Sequence, residues 1–239
     1  MTRQLALPLR LITDAGFEDF IPGENGEAAA AVRAAAEAGG ERFLSLWGGE
    51  GCGKSHLLQA ACRLADHLGQ AAFYLSPKST PLPGPELLQG LEMLDLVAID
   101  DIDTLAGQPA WEEALYQLYN AIRQQNGRLL AAFRPPLAQL PLGLPDLKSR
   151  LGWGPSYRLH PLSDSDKGHV LQRAASQRGL SLPGDTLNYL LTHYSRDLPH
   201  LLDLLDQLDQ ASLEAQRRLT LPFVRQWLTI MGRDEHPGG

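Results

Sequence analysis

Cysteine is nearly missing from this chain of 239 residues, with only Cys52 and Cys62 present. Two cysteines make no disulfide framework, and no CxxC or Cys/His cluster stands ready to hold zinc, so a reducing, cytoplasmic setting is expected. No apolar run approaches the ~18 residues that a membrane span requires. The apolar stretch at residues 5–9 is short, contains Pro8 and is closed by Arg10, so neither a signal peptide nor a membrane partner is expected. Positive charge is not in excess either. Lys and Arg number 21 against 28 Asp and Glu, the formal net charge is −7, and Arg217-Arg218 is the one adjacent basic pair. Neutralising phosphates with Lys and Arg supplies most nucleic-acid affinity, so direct high-affinity DNA binding is not expected. Aromatics are sparse at 7%, and Trp111, Trp153 and Trp227 read as core or interface anchors rather than base-stacking platforms.

Against these absences stands one complete motif. Gly48, Gly49, Glu50, Gly51, Cys52, Gly53, Lys54 and Ser55 spell G-x-x-x-x-G-K-S. The string lies between an apolar strand expected at 43–47 and a helix expected at 56–68, the strand-loop-helix context that such chemistry needs. Glycines let the backbone curl with its N–H groups pointing inward, and the following helix N-terminus adds to this anion site. Lys54 can reach the β- and γ-phosphates of a nucleotide, and Ser55 can ligate Mg²⁺. Downstream, Asp100 and Asp101 close an apolar strand expected at 94–99. One carboxylate there can hold Mg²⁺ and the next can orient a water. Two arginines are candidates for stabilising charge on a transferring phosphoryl group, Arg150 and Arg196. Taken alone, each reads more readily as a surface salt-bridge residue.

Further elements follow from periodicity and punctuation. Helices are expected at 27–38, ended by Gly39-Gly40, at 86–91, and at 111–125, where apolar residues recur at 111, 114, 115, 118, 119 and 122. Strands are expected at 71–75, 129–133 and 157–159. Strands alternating with helices predict an α/β class with a parallel sheet. From residue 163 the pattern is helical, with segments at 186–194, 198–213 and 223–231. The expected organisation is an extended tail over 1–12, an α/β domain over 13–162 and an α-helical subdomain over 163–239.

In this order the motifs resemble those of the AAA+ ATPases related to the bacterial replication initiator DnaA. Phe17-Glu-Asp-Phe20 followed by Gly23 resembles the aromatic box lining the family's adenine pocket. Residues 46–60 are similar to its phosphate loop and helix, and 99–102 with 105–107 to its acidic strand and following loop. Arg134-Pro-Pro136 and residues 144–154, Leu-Pro-Asp-Leu-Lys-Ser-Arg-Leu-Gly-Trp-Gly, resemble its sensor 1 and arginine-finger boxes. The resemblance implies an AAA+ P-loop NTPase fold with a parallel β-sheet core and a C-terminal α-helical lid. It implies an adenine nucleotide, ADP or ATP, with Mg²⁺. The contacts would come from Phe17, Phe20, Gly48, Gly49, Glu50, Gly51, Cys52, Gly53, Lys54, Ser55, His56 and, at the sensor 2 position, Arg196. Ser55 and Asp100 would hold the metal, Asp101 would serve catalysis, and Arg150 would act in trans as an arginine finger. One departure is plain: Ala131-Ala132-Phe133 stands where the family has a polar sensor 1 residue, and a phenylalanine cannot hydrogen-bond a phosphate or water.

Two features set the chain apart from the initiator itself. It is expected to stop after the lid, without a helix-turn-helix DNA-binding domain. Its segment Gln4-Leu5-Ala6-Leu7-Pro8-Leu9 resembles the hexapeptide that docks proteins on the sliding clamp, with Gln4, Leu5, Leu7, Pro8 and Leu9 as contacts. Pro8 keeps such a peptide extended, so little ordering entropy is lost on binding, and the leucines can fill an apolar pocket. The partners implied are therefore the DnaA initiator, the DNA polymerase III β sliding clamp and a second copy of the chain, in a homodimer or higher oligomer. The implied function is negative regulation of replication initiation, by docking on the DNA-loaded clamp and stimulating hydrolysis of initiator-bound ATP. The alternative is an autonomous AAA+ ATPase of helicase-loader type.

Overall fold

Leu96–Ile99 reads Leu-Val-Ala-Ile and Arg128–Phe133 reads Arg-Leu-Leu-Ala-Ala-Phe, and every residue of both segments is buried. Strands apolar on both faces belong inside a parallel sheet covered by helices on each side. The computed structural model, which describes residues 15–78, 82–194 and 197–231, contains such a sheet. Its strands are β1 (Phe43–Trp47), β2 (Ala72–Leu75), β3 (Leu96–Ile99), β4 (Arg128–Phe133) and β5 (Ser156–Arg158). They pair in parallel in the order β2-β3-β4-β1-β5. The segment resembling the clamp peptide lies outside the described residues, as does Arg196.

Period-two alternation divides the core into two layers. Leu96, Ala98, Leu130 and Ala132 face α1 (Gly26–Ala36) and α2 (Lys54–His67), where they meet Val32, Leu57 and Leu58. Val97, Ile99, Leu129 and Ala131 face α3 (Pro109–Gln124) and α4 (Pro145–Leu151), meeting Leu115, Leu118, Tyr119, Ile122 and Leu147. In the register, Trp47 stands opposite Phe133, and Ile99 opposite Ala131. The loops leaving β1, β3 and β4 therefore emerge side by side at the carboxyl edge, where open α/β sheets bind ligands.

Two local expectations change, and one helix stands where none was expected. Residues 86–91 form two short 3₁₀ turns, Pro85–Leu88 and Leu91–Met93, instead of one helix. Gly90 separates them with φ +86°, a left-handed conformation that stops a helix this short from propagating. The last strand is Ser156–Arg158, one residue earlier than its apolar pattern implies. Helix α4 is too short for periodicity to reveal, yet Pro145 opens it at the first position, where the missing N–H costs nothing. Just beyond it, a Cβ on Gly154 would collide with the Phe43 carbonyl, so the chain can cross the start of β1 here only as glycine.

A second compact unit begins at Leu162. It comprises α5 (Asp164–Gln177), α6 (Gly184–His193), α7 (Leu198–Ala215) and α8 (Leu221–Ile230). Ser163 caps α5 by accepting a bond from the Asp166 amide at 3.1 Å. Leu171, Leu190, Leu201, Leu204, Leu205, Leu208, Phe223, Val224 and Leu228 form its own core, with Trp227 packed at the margin. Among the described residues, no helix is long and apolar enough to cross a membrane.

Candidate nucleotide site and arginine surface

At the end of β1 the chain turns through Gly48, with φ +154°, and Gly53, with φ +97°, before α2 begins. Neither position admits a side chain. A Cβ on Gly48 would stand 2.5 Å from the Leu159 carbonyl, and one on Gly53 would stand 2.7 Å from the Phe20 ring. No side chain caps α2, so its first amides are left for an anion. Lys54 is buried and its Nζ donates to the carbonyls of Gly48 and Gly49, both at 2.7 Å. A buried ammonium must be satisfied; here the loop's own carbonyls hold it. The Cys52 thiol donates to the Gly49 carbonyl at 2.9 Å and steadies the same turn. Glu50, Gly49 and Gly51 form the loop's outer rim. Phe20 lies against Gly53 and 5.6 Å from the His56 ring. The His56 Nε2 sits 2.8 Å from the Gly16 carbonyl, and Arg33 stacks on Phe17 at 4.6 Å. Phe17, Phe20 and His56 are thus gathered beside the loop.

The acidic strand end comes to the same edge. Asp100 is fully buried. Its Oδ1 accepts the Asp101 amide at 2.8 Å and its Oδ2 accepts the Tyr74 hydroxyl at 3.0 Å. Ser55 and Gln59 hydrogen-bond to that same phenol, whose pKa is pushed up by burial and by the Asp100 charge. Tyr74 therefore joins Ser55 to Asp100, the two residues expected to hold Mg²⁺. The donor set of one hydroxyl and one carboxylate fits a hard cation that keeps waters and phosphate oxygens as its other ligands. Asp101 has φ +45°, and its Oδ2 accepts from Ser76 Oγ at 3.0 Å. Burial and the neighbouring Asp100 raise its pKa above the ordinary carboxylate value.

Phe133 is wholly buried at the end of β4, so it offers the edge no polar atom. The next residue does. The Arg134 carbonyl accepts the Gly48 amide at 3.2 Å, and its guanidinium lies 3.8 Å from Glu50 and 3.9 Å from Asp103. Asp103 also accepts the Arg134 amide at 3.1 Å. A cation and a carboxylate thus stand where the sensor 1 side chain is missing. Sequence reasoning overlooked this pair because the two residues meet only through the β3–β4 register.

Arg150 lies elsewhere. It leaves α4 toward α3, where its Nε donates to Asn120 Oδ1 at 3.1 Å and its guanidinium stacks on Trp153 at 4.3 Å. Tyr116, Asn120, Arg123, Gln124 and Arg150 line an open groove of about 550 Å³. Among the described residues, none of its contacts is a phosphate-loop residue. Its helix is moored by Glu112, a buried carboxylate on the apolar face of α3. Glu112 accepts the amides of Gly107 at 2.7 Å, Gly143 at 3.1 Å and Leu144 at 2.7 Å, the last two leading directly into α4. Burial raises the Glu112 pKa, but the three amide donors outweigh it, and the net shift is downward. A charged residue within an apolar helical face was the signal that could have revealed it. Trp111, beside it, is a core residue, whereas Trp153 is half-exposed.

Comparison with known proteins agrees with this geometry. Residues 11–76 match the family model for the bacterial DnaA ATPase domain, and residues 164–228 match that for the Hda lid domain. Domain III of the replication initiation protein DnaA from Thermotoga maritima is similar over 91% of this chain and 97% of that one, with TM-score 0.79 and 20% identity. AMPPCP-bound DnaA from Aquifex aeolicus matches over 93% and 71%, with TM-score 0.72 and 20% identity. The Holliday junction branch migration motor RuvB from Thermotoga maritima matches over 92% and 73%, with TM-score 0.68 and 20% identity. At such identities the likeness establishes the fold, the α/β AAA+ architecture expected from the sequence, and the two family models supply the kinship. The chain is a DnaA-related AAA+ protein of Hda type.

Proposed function

We propose that this protein is a regulator that inactivates the replication initiator DnaA by completing the ATP site of an adjacent initiator molecule with Arg150. A guanidinium placed against a γ-phosphate stabilises the charge that develops during transfer and contributes about 10³–10⁵ in rate. The observation that carries this reading is the position of Arg150, held by Asn120 and Trp153 on an open groove and in contact with none of the loop residues 48–55. The protein's own site binds an adenine nucleotide. Gly51, Gly53, Lys54 and the α2 amides receive its phosphates, and Phe17, Phe20 and His56 shape the approach. AMPPCP in the Aquifex aeolicus neighbour supports this assignment. Ser55 and Asp100 would hold Mg²⁺, whose contribution is to neutralise phosphate charge. Arg196 is assigned to nucleotide sensing from the lid.

Docking on the DNA-loaded sliding clamp through Gln4, Leu5, Leu7, Pro8 and Leu9 would raise the local concentration of Arg150 near the initiator, so a weak direct contact suffices. Replacing Leu7 and Leu9 with alanine is expected to abolish clamp pull-down while thermal stability is unchanged; undiminished pull-down removes the tether. Because Arg150 must face a nucleotide held by another molecule, assembly into a homodimer or larger oligomer belongs to the same reading. The autonomous-motor alternative is tested by following ATP in two pools. Under the regulator reading, initiator-bound ATP disappears in the presence of this protein, while free ATP incubated with the protein alone persists. Rapid loss of free ATP, abolished by Lys54→Ala, would replace the regulator with the motor.

A further inference from the structure

Trp153 carries two cations. Arg150 stacks on its ring at 4.3 Å and Arg123, from the last turn of α3, stacks on it at 4.4 Å. Among the described residues neither guanidinium has an ion-pair partner. Arg42, Arg158 and Arg225 likewise have none among the described residues; what distinguishes Arg123 and Arg150 is that both stack on one indole and line one groove. Arg178, for comparison, is paired with Asp206. Beneath the indole, the Tyr119 hydroxyl is buried without a hydrogen-bond partner, and Arg123 and Arg150 both act on it electrostatically. The carbonyl of Arg123 is tied down by Arg42, which also bonds the carbonyls of Ile122 and Gly127. The backbone presenting Arg123 is therefore fixed while its charged end lines the groove.

Two unpaired guanidiniums on one aromatic plate form a receptor for an extended anion. Stacking on the indole removes rotamer freedom before binding, so less entropy is lost when the anion arrives. Arginine's planar fork suits phosphate oxygens. A single phosphoryl group needs one finger; a second cation lining the same groove can meet the rest of a polyphosphate chain. We propose that Arg123 is a second phosphate-contacting arginine, which engages the nucleotide held by the neighbouring initiator alongside Arg150. This rests on the reading that Arg150 acts in trans.

Single-turnover hydrolysis of labelled ATP preloaded on the initiator tests it, titrated with wild type, Arg123→Gln, Arg123→Lys and Arg150→Ala. Arg123→Gln is expected to lower the rate at saturating protein about tenfold or more, with the half-saturating concentration changed less than about threefold, and Arg123→Lys to recover part of the loss. A wild-type rate for Arg123→Gln beside an inactive Arg150→Ala overturns the second contact while leaving the finger intact. An unchanged saturating rate with a raised half-saturating concentration makes Arg123 a docking residue and also overturns it. Failure of wild type to stimulate at all removes both the reading and this inference. Arg123 is exposed, so melting temperatures close to wild type are expected and report that the fold is unaffected.

Discussion

Arg150→Ala is expected to reduce stimulated hydrolysis of initiator-bound ATP by about 10³-fold or more, to the rate of the initiator alone. The magnitude follows from what the side chain does. It has no ion-pair partner to stabilise among the described residues and makes one hydrogen bond, to Asn120, so its removal costs the fold no more than about 1 kcal/mol. Its value lies in charge delivered to the transition state in a site that excludes water. Arg150→Lys is expected to fail nearly as completely, because an ammonium cannot bond Asn120, stack on Trp153 and present a planar fork together. Quench-flow on labelled initiator-bound ATP reads the loss, and a variant retaining more than about a tenth of the wild-type rate would show that Arg150 is a docking contact instead.

Glu112→Ala is expected to destabilise the α/β domain by about 3 kcal/mol, the largest stability effect of any single polar change on this surface. The amides of Gly107, Gly143 and Leu144 converge on one buried carboxylate, and alanine leaves all of them without an acceptor. Function should fall with stability, since Gly143 and Leu144 lead into the helix bearing Arg150, and loosening that junction misplaces the guanidinium. The pH dependence has a definite sign. The folded-state pKa of Glu112 is lowered, so its stabilisation is present above the unfolded value of ~4.3 and is lost as pH falls through the lower folded value. The melting-temperature gap between wild type and Glu112→Gln should therefore be steady near neutral pH and narrow below about pH 4. A gap independent of pH would mean that ionisation of the Glu112 carboxyl is not what stabilises this junction.

Much of the fold was legible because its signals are local. The phosphate loop is a fixed string in a fixed context, and β3 and residues 129–133 of β4 are unbroken apolar runs that suit a buried parallel strand. The face of α3 from Trp111 to Ile122 repeats at helical spacing. The elements that escaped are those whose cause is distant or short. Helix α4 has seven residues, fewer than two full turns of pattern. The break at Gly90 depends on a left-handed backbone that the neighbouring leucines conceal. Trp153 could be placed as a core or interface anchor, but its two arginines come from different helices and meet only when α3 packs on α4. The Arg134–Asp103 pair likewise needs β3 and β4 side by side before a cation can occupy the edge that Phe133 leaves bare.

The most direct test of a finger acting in trans uses this protein at substoichiometric amounts over initiator loaded with labelled ATP, with and without DNA-loaded sliding clamp. The account predicts many turnovers per molecule of this protein, accelerated by the clamp, and undiminished when the protein's own nucleotide is replaced by a non-hydrolysable analogue that keeps its site filled. Hydrolysis that requires a cleavable nucleotide in the protein's own loop, or that proceeds equally without initiator, would contradict it.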